Sequence, residues 1–420
     1  MFKIAPLERL KISSPDLNGS AGTNREKDNG HDQVVSTDIE AAFKFLKRYE
    51  RKPTTYRNYM KEVERLILWA VIEKQKPMSS LTGEDLNDFM AFLANPQPVE
   101  RWGTNRKHPR TSTDWRPFLT TEEDIVDGKN PNKVVKKVSC GLSPSSRLLT
   151  RATLNSFFAW LIEYGYLVRN PVTHTRAAKK AIQEEEQKIQ GQKVERFLDE
   201  EMWASFTDVI EAMPKEKDVD IEKYERAKFI SSMMYFMAPR PSEIAGSVMK
   251  SFKFDGKLWW WYVLGKGSKY AKVPVPDDML KALIRYRTFL GLTPLPLQSD
   301  DTPLLYSVAA GKAKGKQISV RQLNYILKDL FAAAADLLER RAREESDIIT
   351  RAQFLTRAAK IVEASAHWGR HTSITFQIRS GIDKGIVQKN ARHSDSRTTD
   401  HYTHEDEERW HRETQKLRSE

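Results

Sequence analysis

An arginine stands between two predicted helices in the segment Ala238-Pro-Arg240-Pro-Ser-Glu243-Ile. A short apolar helix is expected to end before Arg240, and the following Pro-Ser-Glu is typical of a helix start. An arginine at such a junction can project into a cleft, where its planar guanidinium suits two oxygens of one phosphate. Taken alone, the segment fits an ordinary surface arginine better than a phosphate-binding one.

A lysine lies at the tip of a predicted β-hairpin. Two extended runs, residues 258–264 and 270–275, flank Gly265-Lys266-Gly-Ser, and glycine on both sides of a lysine is typical of a tight turn. A lysine in this position can swing toward a ligand. The Walker spacing G-x-x-x-x-G-K-[ST] is absent, so the turn is not predicted to be a nucleotide-binding loop.

Histidines cluster toward the end of the chain, together with an arginine and a tyrosine. His367 and Arg370 are three positions apart and therefore share one face of a helix. His393 and Tyr402, each considered alone, are equally compatible with a hydrogen-bonded histidine and a half-buried tyrosine. A metal site is disfavoured because neither a paired cysteine nor a His-Glu-x-x-His pattern accompanies the histidines at positions 367, 371, 393, 401 and 404.

Taken together, these segments resemble the catalytic boxes of tyrosine site-specific recombinases, the phage integrase family. The matching runs are, in the family's order, PRPSEI, GKGSKYAKVPVP, HWGRHT and RHSDSRTTDHYTH. The separations also fit, because His393 follows His367 by 26 positions and Tyr402 follows His393 by 9. The similarity covers residues 197–404, and the helical region before it resembles the family's core-binding domain in outline.

The resemblance implies attack on a DNA phosphodiester with one residue for each chemical task. Tyr402 would be the nucleophile that forms a 3′-phosphotyrosyl bond. Arg240 and Arg370 would clamp the non-bridging phosphate oxygens and stabilise the developing charge. Lys266 would protonate the 5′-oxygen as it leaves.

Three further side chains have supporting roles under this resemblance. His367 would accept a proton near the tyrosine, His393 would donate to the phosphate, and Glu243 would orient Arg240. No metal, cofactor or ATP is implied, because the phosphotyrosyl bond conserves the bond energy for rejoining. The implied partners are double-stranded DNA with specific recombination sites, a homotetramer of this chain on two such sites, and accessory DNA-bending factors, with no membrane.

Three places depart from the family pattern. The family usually has glycine and an apolar residue before its first arginine, where this chain has Ala238 and Pro239. It has leucine where this chain has Gly369, and glycine where this chain has Arg392. None of these changes removes a predicted catalytic side chain.

Other functions are compatible with part of this pattern. A resolvase, a transposase-like enzyme or a hairpin-forming telomere resolvase would use the same chemistry with a different DNA outcome. A DNA-binding protein with a catalytically decayed site of the same fold is the alternative from another class, and the presence of all six predicted catalytic side chains argues against it. A metal-dependent nuclease is the third alternative.

The composition favours a polyanionic partner. The 420 residues carry a formal net charge of +12, which is typical of nucleic-acid binding. Residues 1–36 hold five basic and five acidic side chains, so the excess lies in the remainder. A single cysteine, Cys140, and the lack of a signal peptide or a run of roughly 18 apolar residues predict a soluble cytoplasmic protein associated with the nucleoid.

The predicted fold is mostly α-helical with a small antiparallel β-sheet. Apolar residues at steps of three and four predict a four-helix core DNA-binding domain over residues 37–172, and an α+β catalytic domain follows over residues 196–420. Residues 1–36 are predicted to be a flexible arm. Residues 95–142, rich in proline, glycine and basic side chains, are predicted to be an insertion with little regular structure. Residues 173–195 are predicted to be a charged linker.

Three further predictions concern parts of these domains. The basic residues of the insertion, among them Arg101 and Arg110, are interpreted equally as phosphate contacts or as a solvated loop. The methionine-rich stretch around Met234 is predicted to be core rather than a cofactor site. Residues 328–364 are predicted to form one or two long helices.

Overall fold

The structure, a computed structural model, divides into two compact units, Met1–Lys193 and Val194–Glu420. It describes residues 4–26, 35–127, 130–172, 196–264, 270–308 and 314–392, with backbone alone at 123–127 and 130–137. The mostly helical fold with small antiparallel sheets confirms the predicted fold class. No helix within the described ranges is long and apolar enough to cross a membrane.

Four long helices dominate the first unit. Two of them begin at a capping box, in which Thr37 or Thr82 accepts from the backbone N–H three residues later while the acidic side chain there bonds back. Their apolar stripes meet in one core, where Phe45, Phe89 and Phe157 are fully buried. The α-helices among the described residues of this unit are α1 Pro15–Asn18, α2 Asp38–Lys47, α3 Pro53–Trp69, α4 Gly83–Ala94, α5 Val99–Trp102 and α6 Pro144–Glu163.

The N-terminal segment differs from the predicted flexible arm over residues 1–36. Residues 4–26 pack on the first unit, and Arg25 fixes them by donating to the Ser36 carbonyl at 2.6 Å and by lying 4.4 Å above the Tyr166 ring. A few apolar anchors and these polar contacts are enough to order a segment whose composition is polar. Its buried apolar side chains are Ile4, Leu7 and Leu10.

The predicted irregular insertion contains a β-hairpin. Strands β3 (Thr121–Asp127) and β4 (Asn130–Ser139) pair antiparallel. Before them, the two-residue strands β1 (Gly103–Thr104) and β2 (Phe118–Leu119) pair parallel. The prediction of little regular structure over 95–142 is therefore wrong, because backbone pairing orders a segment whose polar composition carries no alternating apolar pattern.

Two basic residues of this insertion are engaged inside the first unit. Arg110 donates to Glu64 at 2.5 Å and to Glu8 at 2.5 Å, and the Glu64 side chain is almost fully buried. Arg101 lies 3.4 Å from Glu73. These contacts attach the insertion to the rest of the unit. Arg110 and Arg101 thus have a structural role that needs no phosphate.

The second unit combines eight helices of the described residues with one three-stranded sheet. The sheet is antiparallel with the order β5-β6-β7, and the predicted hairpin is confirmed because Leu264 pairs with Tyr270 across the turn. The helices are α7 Glu200–Glu211, α8 Asp218–Met237, α9 Pro241–Gly246, α10 Asp277–Phe289, α11 Val320–Glu344, α12 Ile348–Val362, α13 Ala366–Arg379 and α14 Lys384–Ala391. The strands are β5 Phe252–Phe254, β6 Trp259–Leu264 and β7 Tyr270–Pro274.

The core of this unit lies among α7, α8, α11 and the sheet. Met233, Met234 and Met237 are buried there, which confirms that the methionine-rich stretch is core. The prediction of one or two long helices over 328–364 is also confirmed, since α11 and α12 pack against each other. This arrangement fixes the ends of α8 and the starts of α9 and α13, where the candidate site residues lie.

Candidate active site

Arg240 lies at a sharp junction between α8 and α9. Helix α8 stops because Ala238 adopts the left-handed conformation, with φ 42° and ψ 48°. Helix α9 starts one residue after Arg240, with Pro241 in its first turn and the Glu243 carboxylate accepting from the Arg240 backbone N–H at 2.7 Å. The Arg240 side chain is 31% exposed, so its guanidinium sits at the mouth of the site.

Arg370 projects from the first turns of α13 into the protein interior. Its side chain is buried, Nη1 donates to the carbonyl of Ala238 at 2.5 Å, and Nη2 donates to the carbonyl of Ala391. The guanidinium thus joins the end of α8 to the end of α14.

The two arginines bind consecutive carbonyls of one turn. Arg370 bonds the Ala391 carbonyl, and Nη2 of Arg240 donates to the Arg392 carbonyl at 3.1 Å. Arg392 ends α14 in the left-handed conformation, with φ 55° and ψ 41°. This turn therefore brings together two guanidiniums that are 130 positions apart in sequence.

Glu243 is the carboxylate of this cluster, and it accepts from two arginines. Its Oε1 accepts from Nη1 of Arg240 at 2.9 Å and from Nε of Arg392 at 3.2 Å. Its Oε2 accepts from the Arg240 backbone and from Nη2 of Arg392 at 2.7 Å. With its side chain only 2% exposed, Glu243 is a fixed partner of Arg240 rather than a solvent-exposed acid.

His367 faces the same cations. Desolvation by the surrounding protein lowers its pKa from the ordinary value of 6.5, although the residue retains an exposed surface, and the positive charges of Arg370, Arg240 and Arg196 lower that pKa further. The imidazole is therefore neutral at pH 7 and can accept a proton. His371 stands one turn later, with its ring centroid 4.5 Å from that of His367.

The structure thus brings four of the seven residues predicted from sequence to one place: Arg240, Glu243, His367 and Arg370. The other three, Lys266, His393 and Tyr402, lie outside the described residues.

Sequence reasoning missed one side chain at this site, Arg392. The sequence marks it only as a departure from a family glycine, directly before His393. A basic residue replacing glycine beside a catalytic box is the one available signal, but its contact with Glu243 spans 149 positions and no local pattern reveals it.

Two of the departures from the family pattern keep the backbone of glycine. Ala238 and Arg392 stand where the family has glycine, and both have a positive φ, the conformation that glycine adopts most easily. The chain turn is therefore retained although the residue type has changed. The carbonyl of Ala238 accepts from Arg370, and that of Arg392 accepts from Arg240.

Comparisons with known proteins point to one family. Residues 206–409 match the model of the phage integrase family. The chain is 25% identical over 286 residues to tyrosine recombinase XerC of Thermodesulfovibrio yellowstonii, covering 68% of this chain and 75% of that protein. It is 26% identical over 350 residues to tyrosine recombinase XerC of Bacillus pumilus, covering 83% of this chain and 92% of that protein.

A solved structure shares the fold. The crystal structure of the XerH site-specific recombinase bound to palindromic difH substrate, in a post-cleavage complex, aligns with a TM-score of 0.54 at 14% identity, over 90% of this chain and 84% of that one. Residues 206–409 are therefore similar to the phage integrase family, and the curated relatives that the chain resembles are tyrosine recombinases.

Proposed function

We propose that this protein cleaves and rejoins DNA at specific sites through a covalent 3′-phosphotyrosyl intermediate on Tyr402, without metal or ATP. The observation that carries the proposal is the convergence of Arg240 and Arg370 on the turn at residues 391–392. Tyr402 follows Arg392 by ten positions, and an extended chain spans at most about 3.5 Å per residue. A connection of this length permits the phenol to reach the two guanidiniums of its own copy or of a neighbouring one.

The arginines supply the electrostatic part of the chemistry. A phosphodiester resists attack because it is anionic, and the charge on its oxygens grows in the transition state. Arg240 and Arg370 stabilise that charge, and their own hydrogen bonds to carbonyls hold them in place before DNA arrives. Preorganised cations of this kind accelerate cleavage without strengthening the binding of DNA by the same factor.

Two groups are assigned to proton transfer, and a third to a hydrogen bond with the phosphate. A free tyrosine has a pKa of about 10, so the phenol needs nearby cations and a base to become nucleophilic. The neutral imidazole of His367 accepts that proton. Lys266 protonates the departing 5′-oxygen, and His393 donates a hydrogen bond to the phosphate, as the family boxes imply.

Rejoining and assembly follow from the covalent bond. A 5′-hydroxyl of a partner strand attacks the phosphotyrosine and releases Tyr402, so bond energy is conserved. Exchange of both strands between two duplexes uses four phenols, and the working unit is therefore a homotetramer on two DNA sites. Such a substrate would place the protein at the nucleoid, where accessory DNA-bending factors would help to bring the two sites together.

Covalent trapping tests this function and identifies the target sequence in the same experiment. DNA linked to the protein in cells is recovered under denaturing conditions and sequenced, and the recovered site is rebuilt as a nicked duplex. The wild-type protein is expected to accumulate a covalent adduct on this duplex, in excess chelator as well, and Tyr402→Phe is expected to form none.

The outcomes separate the alternatives. Binding of the duplex without an adduct in either protein would indicate a decayed DNA-binding protein. Strand cleavage that stops in chelator and survives Tyr402→Phe would indicate a metal-dependent nuclease.

A further inference from the structure

An arginine without an assigned role lies directly behind the two clamp arginines. The Arg392 side chain is 6% exposed, and each of its three guanidinium nitrogens donates a hydrogen bond. Nε and Nη2 bind the Glu243 carboxylate, Nη2 also binds the Ala238 carbonyl at 2.9 Å, and Nη1 binds the Asn390 carbonyl at 2.7 Å. Because two of these nitrogens are paired with a carboxylate, which competes with a phosphate for the guanidinium, we assign Arg392 no direct contact with DNA.

The backbone of Arg392 indicates that its side chain has a role. Its φ of 55° lies in the left-handed region, which glycine adopts freely and other residues adopt with strain. The family has glycine at this position, and only the Arg392 carbonyl is needed to accept from Arg240. The Arg392 side chain adds strain to the backbone, and yet it is held by Glu243 and two carbonyls. The reason for an arginine at this position therefore lies in these contacts.

Charge provides the explanation. Among the described residues, the side chains that contact the Glu243 carboxylate are those of Arg240 and Arg392, so without Arg392 this carboxylate would neutralise most of the charge of Arg240. With Arg392 present, two guanidiniums share one carboxylate, and a net positive charge remains at the site. The shared carboxylate also holds Nη1 of Arg240 at 2.9 Å, which fixes the orientation of the Arg240 fork.

We propose that Arg392 is a positioning residue: by pairing with Glu243 it fixes Arg240 and leaves the positive charge of Arg240 available to the scissile phosphate. Arg392 also holds the Ala238 carbonyl that Arg370 binds, so it supports both clamp arginines. The inference rests on the proposed strand-cleavage function and adds a positioning role for a residue at which the resemblance leads us to expect glycine.

Arg392→Gly is the informative variant, because glycine keeps the left-handed turn and the carbonyl while removing only the side chain. On the nicked duplex recovered with the wild-type protein, we expect the rate of covalent adduct formation to fall about 10- to 100-fold, since loss of accurate placement at a reacting centre has effects of this size. Affinity for the duplex should change by no more than about threefold, because many other phosphate contacts contribute to it. Arg392→Lys, which keeps the charge without the planar fork, should recover part of the rate.

A double-mutant cycle with Glu243→Gln tests whether Arg392 acts through the carboxylate. With a neutral glutamine at 243, Arg392→Gly should lower the rate by no more than about threefold, because there is no longer a negative charge to share. Lys389→Ala is the matched control, since it removes one exposed positive charge from the same helix and should leave the rate near that of the wild type. Melting temperatures are measured for every variant.

Each outcome bears on the proposal. A wild-type rate in Arg392→Gly, or an equal loss in the Glu243→Gln background, would overturn the role of Arg392 while the strand-cleavage function stands. Loss of DNA binding and of melting temperature in step with the rate would assign Arg392 to folding instead. A wild-type protein that forms no adduct would overturn the proposed function, and this inference with it.

Discussion

An ideal Cβ built on Gly369 would lie 2.0 Å from Cε of Met234, so the methionine side chain occupies the space that a larger residue at position 369 would need. Both residues are buried, Met234 on α8 and Gly369 on α13. The family has leucine at this position, directly before the buried arginine. Met234 and Gly369 together fill this volume in the present chain, which explains the third departure from the family pattern.

The pair predicts a compensating double substitution. Gly369→Leu should lower the free energy of unfolding by about 1–3 kcal/mol, because the added side chain overpacks the core. Met234→Ala should lower it by about 2–5 kcal/mol, because it leaves a cavity. In the double variant the leucine fills that cavity, and urea unfolding should show a loss smaller than the sum by more than about 1 kcal/mol.

Combining Gly369→Leu with Met279→Ala provides the comparison. Met279 is also fully buried, but it lies on α10. The decrease in the free energy of unfolding caused by Met279→Ala should therefore add to that caused by Gly369→Leu, without compensation. If the decreases in the free energy of unfolding add in both double variants, Met234 does not occupy the volume that a leucine at position 369 would need.

Arg370→Ala should abolish cleavage while DNA binding is largely kept. The substitution removes a buried guanidinium and its bonds to the Ala238 and Ala391 carbonyls. Loss of one preorganised group that stabilises transition-state charge lowers a rate by about 10²- to 10³-fold. The measurement is the rate of adduct formation on the nicked duplex, together with a binding titration at the same salt concentration.

Arg343→Ala is the control for removal of an arginine, because that side chain is 74% exposed and should leave the rate unchanged. An Arg370→Ala protein that cleaves at nearly the wild-type rate would exclude Arg370 from the phosphate clamp.

Helices were predictable from sequence where their apolar stripes are regular, and segments without such a stripe were not. Residues 4–26 are ordered by three apolar anchors and by Arg25, whose hydrogen bond to the Ser36 carbonyl leaves no periodic trace in the sequence. The β3–β4 hairpin within 95–142 depends on backbone pairing, which a polar and proline-rich composition conceals.

The candidate site shows the same division. Arg240, Glu243, His367 and Arg370 were found because each belongs to a short run with a fixed spacing. Arg392 was not, because its importance lies in a contact with a carboxylate far away in the sequence and in a backbone conformation that residue type alone does not indicate. Local sequence patterns therefore reveal catalytic residues more easily than they reveal the residues that position them.

The lowered pKa of His367 predicts the pH dependence of cleavage. Because desolvation by the surrounding protein and the neighbouring arginines keep the pKa of His367 below 6.5, the imidazole remains a proton acceptor somewhat below that pH. At subsaturating DNA, the rate of adduct formation should fall on the acidic side with a midpoint below 6.5, and His367→Gln should remove this limb while lowering the rate. An acidic limb that is unchanged in His367→Gln would assign the titration to another group.

The same shift links His367 to stability. Since the folded pKa is lower than the unfolded one, the unfolded chain binds more protons between the two values. The contribution of His367 to the free energy of unfolding is therefore complete above pH 6.5, and it is lost as the pH falls toward the pKa of the folded state. The free energy of unfolding of the wild type should decrease relative to that of His367→Gln as the pH falls through this range in urea titrations, and a constant difference would contradict the lowered pKa.

Asp38 of the first unit predicts the opposite trend. It is fully buried, and burial raises its pKa from 3.8 to about 6, although the Ser79 backbone N–H at 3.0 Å and the Tyr166 hydroxyl at 2.8 Å favour the charged form. A raised folded pKa means that the native state binds the proton more tightly than the unfolded chain. The contribution of Asp38 to stability is therefore complete below pH 3.8 and is lost as the pH rises through 6.

Asp38→Asn isolates this effect because asparagine does not titrate. Between pH 4 and 6.5 the free energy of unfolding of the wild type, relative to the variant, should decrease by up to about 3 kcal/mol, at 1.36 kcal/mol for each unit of pKa shift. Urea unfolding at intervals of half a pH unit measures the difference, with the exposed Asp114→Asn as the matched substitution that should follow the wild type throughout. Parallel curves for the wild type and Asp38→Asn would show that the buried carboxylate remains charged across the range, held by its hydrogen-bond donors against the cost of burial.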